Sequence, residues 1–93
     1  MTTLAVCKVA IALNAYGFEL QLWKEDEERE WGATLRDNNH IHSCNFEEDN
    51  LMLAKLHLLG EARNRAIRRS NDASLPGCDA FLHSWKPIKM TKA

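Results

Sequence analysis

Val9-Ala10-Ile11-Ala12-Leu13-Asn14-Ala15-Tyr16-Gly17-Phe18-Glu19-Leu20-Gln21-Leu22 holds two runs of alternating apolar residues with a turn between them. Val9, Ile11 and Leu13 recur at every second position, residues 14–17 supply the turn, and Phe18, Leu20 and Leu22 resume the alternation. A period of two belongs to a strand that buries one face, and Asn and Gly tolerate turn backbones. The two runs read as a hairpin. Pairing Leu13 with Phe18, Ile11 with Leu20 and Val9 with Leu22 puts all six side chains on one side.

The pattern extends along the chain. A loop centred on the acidic residues 25–28 sets Leu22 opposite Trp31, Leu20 opposite Ala33 and Phe18 opposite Leu35. A third turn at Asp37-Asn38-Asn39-His40 sets Leu35 opposite His42, Ala33 opposite Cys44 and Trp31 opposite Phe46; its two Asn suit the left-handed backbone of a tight hairpin. One apolar face thus survives three turns, although a one-residue slip in any of them would send half of it to the other side. The expected sheet is a four-stranded antiparallel meander. Residues 3–14 also admit a helix capped by Thr2 or Thr3 and ended by Gly17, but the Val and Ile content and the register favour strand.

Residues 47–70 form the one long helical segment, with Asn45 and Glu48 spaced as a capping box. At ~100° per residue Leu51, Met52, Leu56, Leu58, Leu59, Ala62 and Ala66 share a broad arc suited to lie on the sheet. Leu53, Gly60 and Ile67 fall just beyond its edge and widen the apolar surface past what one sheet contact needs, which makes them candidates for self-association. Leu75-Pro76-Gly77-Cys78 has the signature of a type II turn. In residues 80–85 the alternation of Phe81, His83 and Trp85 predicts a short C-terminal strand, with a short helix capped by Asp79 as the competing reading. The expected fold is α+β, a single domain over residues 1–93, with about 86–93 a flexible basic tail.

Composition narrows the function classes. The 93 residues are 45% hydrophobic and 27% charged, a globular balance suited to one core. Net charge is -1, without the basic excess of an obligate nucleic-acid binder. The charge is unevenly placed: residues 1–50 carry a net -6 and residues 51–93 a net +5. The longest apolar runs are a few residues, too short to cross a bilayer, so no membrane partner is expected. Residues 1–15 are apolar but lack a basic n-region, and Lys8 interrupts them, so they read as structure rather than a signal peptide. Cys7, Cys44 and Cys78 are odd in number and widely spaced, which fits a reducing, cytoplasmic setting without a disulfide framework.

No cofactor fingerprint and no catalytic set is present. His40, His42 and Cys44 alternate along one strand and are weak zinc candidates, with His57, His83 or Cys78 to complete the set. Residues two apart on a strand diverge by ~6 to 7 Å, however, and the register buries His42 and Cys44. Cys44 with His42, or Cys78 with His83, would supply a nucleophilic pair only if the thiol were activated. Arg63, Arg65, Arg68 and Arg69 are the sharpest basic cluster. With Trp23 and the lysines at 86, 89 and 92 they suit phosphate contacts, yet cations in the last turns of a helix also complement its dipole. On the second face of the sheet, Trp23 beside Ala10, Ala12 and Thr34 calls for cover by the C-terminal segment or a second subunit. The expected function is a non-catalytic cytoplasmic interaction module that forms a homodimer, with a protein partner possible. The alternatives are a nucleic-acid binder, not favoured, and a small metal- or thiol-dependent enzyme.

Overall fold

The structure is a computed structural model that describes residues 5–6, 9–24, 30–38, 40–46, 50–88 and 91–92. Among the described residues seven strands run in chain order: β1 Ala5–Val6, β2 Val9–Ala15, β3 Phe18–Lys24, β4 Trp31–Asp37, β5 His40–Phe46, β6 Lys86–Pro87 and β7 Thr91–Lys92. The helix α1, Leu51–Ser70, follows β5, and a 3-10 turn spans Cys78–Phe81. β2 to β5 form the expected antiparallel meander, and β6 joins its far edge to give the order β5-β4-β3-β2-β6; β1 and β7 pair separately. The fold is therefore α+β, and Val9–Ala15 is strand, not helix.

The registers refine the expectation. Between β4 and β5 they fall as predicted, with Leu35 opposite His42 and Ala33 opposite Cys44. Between β2 and β3, and between β3 and β4, they shift by two residues: Leu13 faces Leu20, Ile11 faces Leu22, Leu20 faces Leu35 and Leu22 faces Ala33. A two-residue shift keeps every side chain on its own side of the pleat. The first shift arises because the turn is only two residues long. Tyr16 and Gly17 both take positive φ, 56° and 82°, the backbone of a type I′ hairpin. Tyrosine rarely adopts that conformation; here its hydroxyl donates to the Pro76 carbonyl at 2.6 Å, which holds the turn against the 71–77 loop.

α1 lies across β3 and β4. Leu20, Leu22, Leu58 and Leu59 are the largest fully buried side chains, joined by Phe18, Trp31, Ala33, Leu35, Ala54 and Ala62. The helix starts later than expected. Its cap is Asn50, whose Oδ1 accepts from the Met52 and Leu53 amides at 2.8 and 3.2 Å, while Asn45 belongs to β5. Asn71 ends it in the left-handed region, donating its amide to the Ile67 carbonyl at 2.7 Å. Arg69 pairs with Asp37 and lies 5.0 Å over the Phe18 ring, tying this end to the third hairpin.

The C-terminal segment corrects two expectations. Gly77 has φ -67° and caps the 3-10 turn, so residues 75–78 are not a type II turn, which needs positive φ at the glycine. Residues 80–85 are not a strand: Phe81, Leu82 and Trp85 pack on the core from the 3-10 turn and the residues after it. The C-terminal strand of the main sheet is β6, which sets Pro87 opposite Ile11 and Lys86 opposite Ala12. Proline, lacking an N–H, is tolerated on such an edge. Residues 86–88, expected to begin a tail, are thus paired, and the Ile88 amide donates to the Ala10 carbonyl at 2.9 Å. Among the described residues no helix is long and apolar enough to cross a membrane.

Candidate functional site

The helix presents its second apolar surface on the side away from the sheet. Ala54, Leu58, Leu59 and Ala62 are its buried residues. At ~100° per residue they set the core direction, and Leu53, Gly60 and Ile67 lie nearly opposite it rather than at its margin. Leu53 is 43% exposed, as is Met52, which was expected on the sheet-facing arc. Leu56 and Ile67 are half-buried on this outer side. Nothing lies within 4 Å of where a Cβ on Gly60 would stand, so the helix surface there is open to another backbone.

The outer face of the sheet is more self-sufficient. Trp23 pairs across the strands with Gly32, and a Cβ on Gly32 would come within 2.3 Å of the indole carbons. The ring therefore rests on the glycine, and the cover expected from another segment is partly supplied by the neighbouring strand. Beside it a polar ladder runs across β3 and β4. Thr34 donates to Gln21 at 3.4 Å, Gln21 donates to Glu19 at 3.1 Å, and Arg36 approaches Glu19 at 3.9 Å. Ile41 on β5 is 61% exposed.

The four arginines do not form one patch. Arg63 donates to the carbonyls of Ala73, Leu75 and Pro76 at 3.3, 3.0 and 3.1 Å, so it clamps the loop after α1. Arg65 lies 3.8 Å from Glu61 and 3.5 Å from His42 Nε2. The hydrogen bond from Arg69 holds the Asp37 carboxyl below its usual range. Arg68 donates to the Asn64 carbonyl at 3.4 Å and has no acidic partner among the described residues. The spacing of these residues on a helix sends them to different neighbours.

The His and Cys candidates do not converge either. His40 and His42 stand 6.4 Å apart between ring centroids, with the Arg65 guanidinium beside the second. The Cys44 side chain lies outside the described part of the protein, and among the described residues no three His, Cys, Asp or Glu are arranged to hold a metal ion. Cys78 sits 4.0 Å from the Tyr16 hydroxyl. Burial, with the nearby Cys78, pushes the Tyr16 phenol up to about 12 against the pull of Arg63. Two open clefts, of about 400 and 520 Å³, share Asn14 and Glu19 at the first hairpin; the larger also has Ser84 and Lys86 in its lining.

Sequence reasoning missed the exposure of Met52 and the clamp of Tyr16 and Arg63 on the Pro76 carbonyl. The alternation of β5 had placed Ile41 outward; for the clamp there was no local signal, because its members are separated by up to 60 residues. No family model, no curated protein and no solved structure matches the chain.

Proposed function

We propose that the chain is a non-catalytic cytoplasmic interaction module that associates with itself through the outer face of α1. The observation that carries this reading is the stripe of Leu53, Gly60 and Ile67 on the side of the helix opposite its buried residues. The sheet contact does not need these positions, and covering a side chain of leucine size is worth ~1.5 to 3 kcal/mol. Phosphate recognition has less support, since Arg63, Arg65 and Arg69 are engaged within the chain.

Size-exclusion chromatography with light scattering, run from low to high micromolar protein, tests the proposal. The expected result is an apparent mass that rises with concentration toward twice that of the monomer. A monomer mass throughout the range removes self-association.

A further inference from the structure

We infer that the free edge of β5 takes up an extended, acidic polypeptide segment as a further strand of the sheet, beside the basic flank of α1. The site lies apart from the stripe of Leu53, Gly60 and Ile67, so it stands or falls independently of self-association. The two edges of the five-stranded sheet are finished differently. On one, β6 pairs with β2 and sets Pro87 at the margin, a residue with no N–H to offer another strand. On the other, β5 has β4 on one side and, among the described residues, no strand on its outer side. Its seven residues follow β4 without a bulge, and His40–Phe46 contains no proline, lysine, arginine, aspartate or glutamate. His40, Ile41 and Ser43 are exposed. Folded proteins normally avoid a long, unbroken, uncharged edge, because its free N–H and C=O groups are a template for another strand. The groups that match them are those of an extended backbone, which makes the occupant a polypeptide segment.

Charge says which segment fits. α1 lies over β3 and β4, so a strand added ~4.8 Å outside β5 runs below the flank of the helix. Arg65 marks that flank, since its guanidinium reaches His42 of β5, whereas Arg63 on the opposite flank reaches the 71–77 loop. Arg68 follows three residues later, ~60° further from the buried arc on the same side; it donates to the Asn64 carbonyl and has no acidic partner among the described residues. Glu61 shares the flank, 3.8 Å from Arg65, yet the Arg65 Nε is buried without a hydrogen-bond partner. Asp37 is taken by Arg69. Two cations against one carboxylate leave the flank with unmet positive charge, which acidic side chains on the α1 side of the added strand answer. Its alternate side chains project to the other face, where Ile41 is 61% exposed and accepts an apolar cross-strand neighbour. The fitting segment alternates acidic with apolar residues.

A synthetic peptide alternating glutamate and valine, titrated into the isotope-labelled chain and followed by two-dimensional NMR, tests the inference. Saturable binding is expected below roughly millimolar peptide, with the amide shifts gathered on His40–Phe46. The same peptide with lysine for glutamate is expected to bind at least roughly tenfold more weakly, and Arg68→Glu, with its circular dichroism unchanged, to weaken the glutamate peptide by a similar factor. Two further peptides carry N-methyl groups on the odd or on the even amides. They keep every side chain and leave the protein untouched, and at least one is expected to lose binding because its N–H groups no longer reach the edge. No binding of the glutamate peptide, or shifts that fall away from β5, overturns the site. Equal binding of the lysine peptide overturns the acidic chemistry, and full binding of both methylated peptides overturns strand addition. A single-stranded oligonucleotide that shifts the same amides more tightly than the peptide, or shifts at β5 that follow protein concentration without any peptide, assigns the edge to another occupant and overturns the inference.

Discussion

Tyr16 is the only tyrosine in the chain, so its ionisation is read without interference from another phenol. Its hydroxyl donates to the Pro76 carbonyl and its ring meets Phe81 edge-on at 5.0 Å between centroids. Phenolate absorbance is expected to rise with a midpoint near 12 in the folded protein, against 10.0 for an unperturbed phenol. The folded state holds this proton more tightly, so the stability it contributes is complete below about pH 10 and is lost as the pH climbs through about 12. A folded-state midpoint at 10 contradicts the clamp. Gly32 gives a second prediction. Its missing Cβ is where the Trp23 ring sits, so Gly32→Ala forces the indole off the sheet and costs about 1 to 3 kcal/mol, the usual penalty of overpacking, measurable as a lowered urea midpoint. Strand alternation puts both residues on the outer face of the sheet. The contact itself depends on the direction in which an indole leans, which alternation does not encode.

At the level of strands and helices, parity proved more robust than register. The hairpin runs were identified correctly, yet the assumed four-residue turn was in fact a two-residue type I′ turn, because Tyr16 accepts a positive φ that its residue type rarely takes. The error moved partners by two positions and left every inward residue inward. The helix start was misjudged for a different reason: several residues before α1 have capping chemistry, and geometry decides among them. Asn50 holds two amides through one side-chain oxygen. Asn50→Ala is expected to cost about 0.5 to 2 kcal/mol, while Asn45→Ala removes no cap; equal loss of helix stability in both variants would contradict the assignment. Residues 80–85 were misread because a short apolar run does not separate strand from helical turn by periodicity alone. Phe81 reaches the core from the 3-10 turn and Trp85 from the residues that follow it.

At the scale of the molecule, the five-stranded sheet and α1 share one core among the described residues, and stability is concentrated there. Leu20 is fully buried between them. Leu20→Ala is expected to cost about 2 to 5 kcal/mol, out of roughly 5 to 14 kcal/mol for a chain of this length, so equilibrium denaturation should find it close to unfolded at ambient temperature; a loss below 1 kcal/mol would contradict the placement. The residues of the α1 stripe could be named from the sequence, but not their position opposite the sheet, which follows only once the buried arc is known. The basic cluster looked continuous in the chain and is divided among three neighbours by the fold. Amide chemical shifts followed by two-dimensional NMR through a dilution series address the proposed surface directly. Concentration-dependent shifts are expected to cluster at Leu53, Leu56, Gly60 and Ile67 and to spare Trp23, Thr34 and Ile41. Shifts gathered on β5 or the outer sheet face, or none at any concentration, would contradict it.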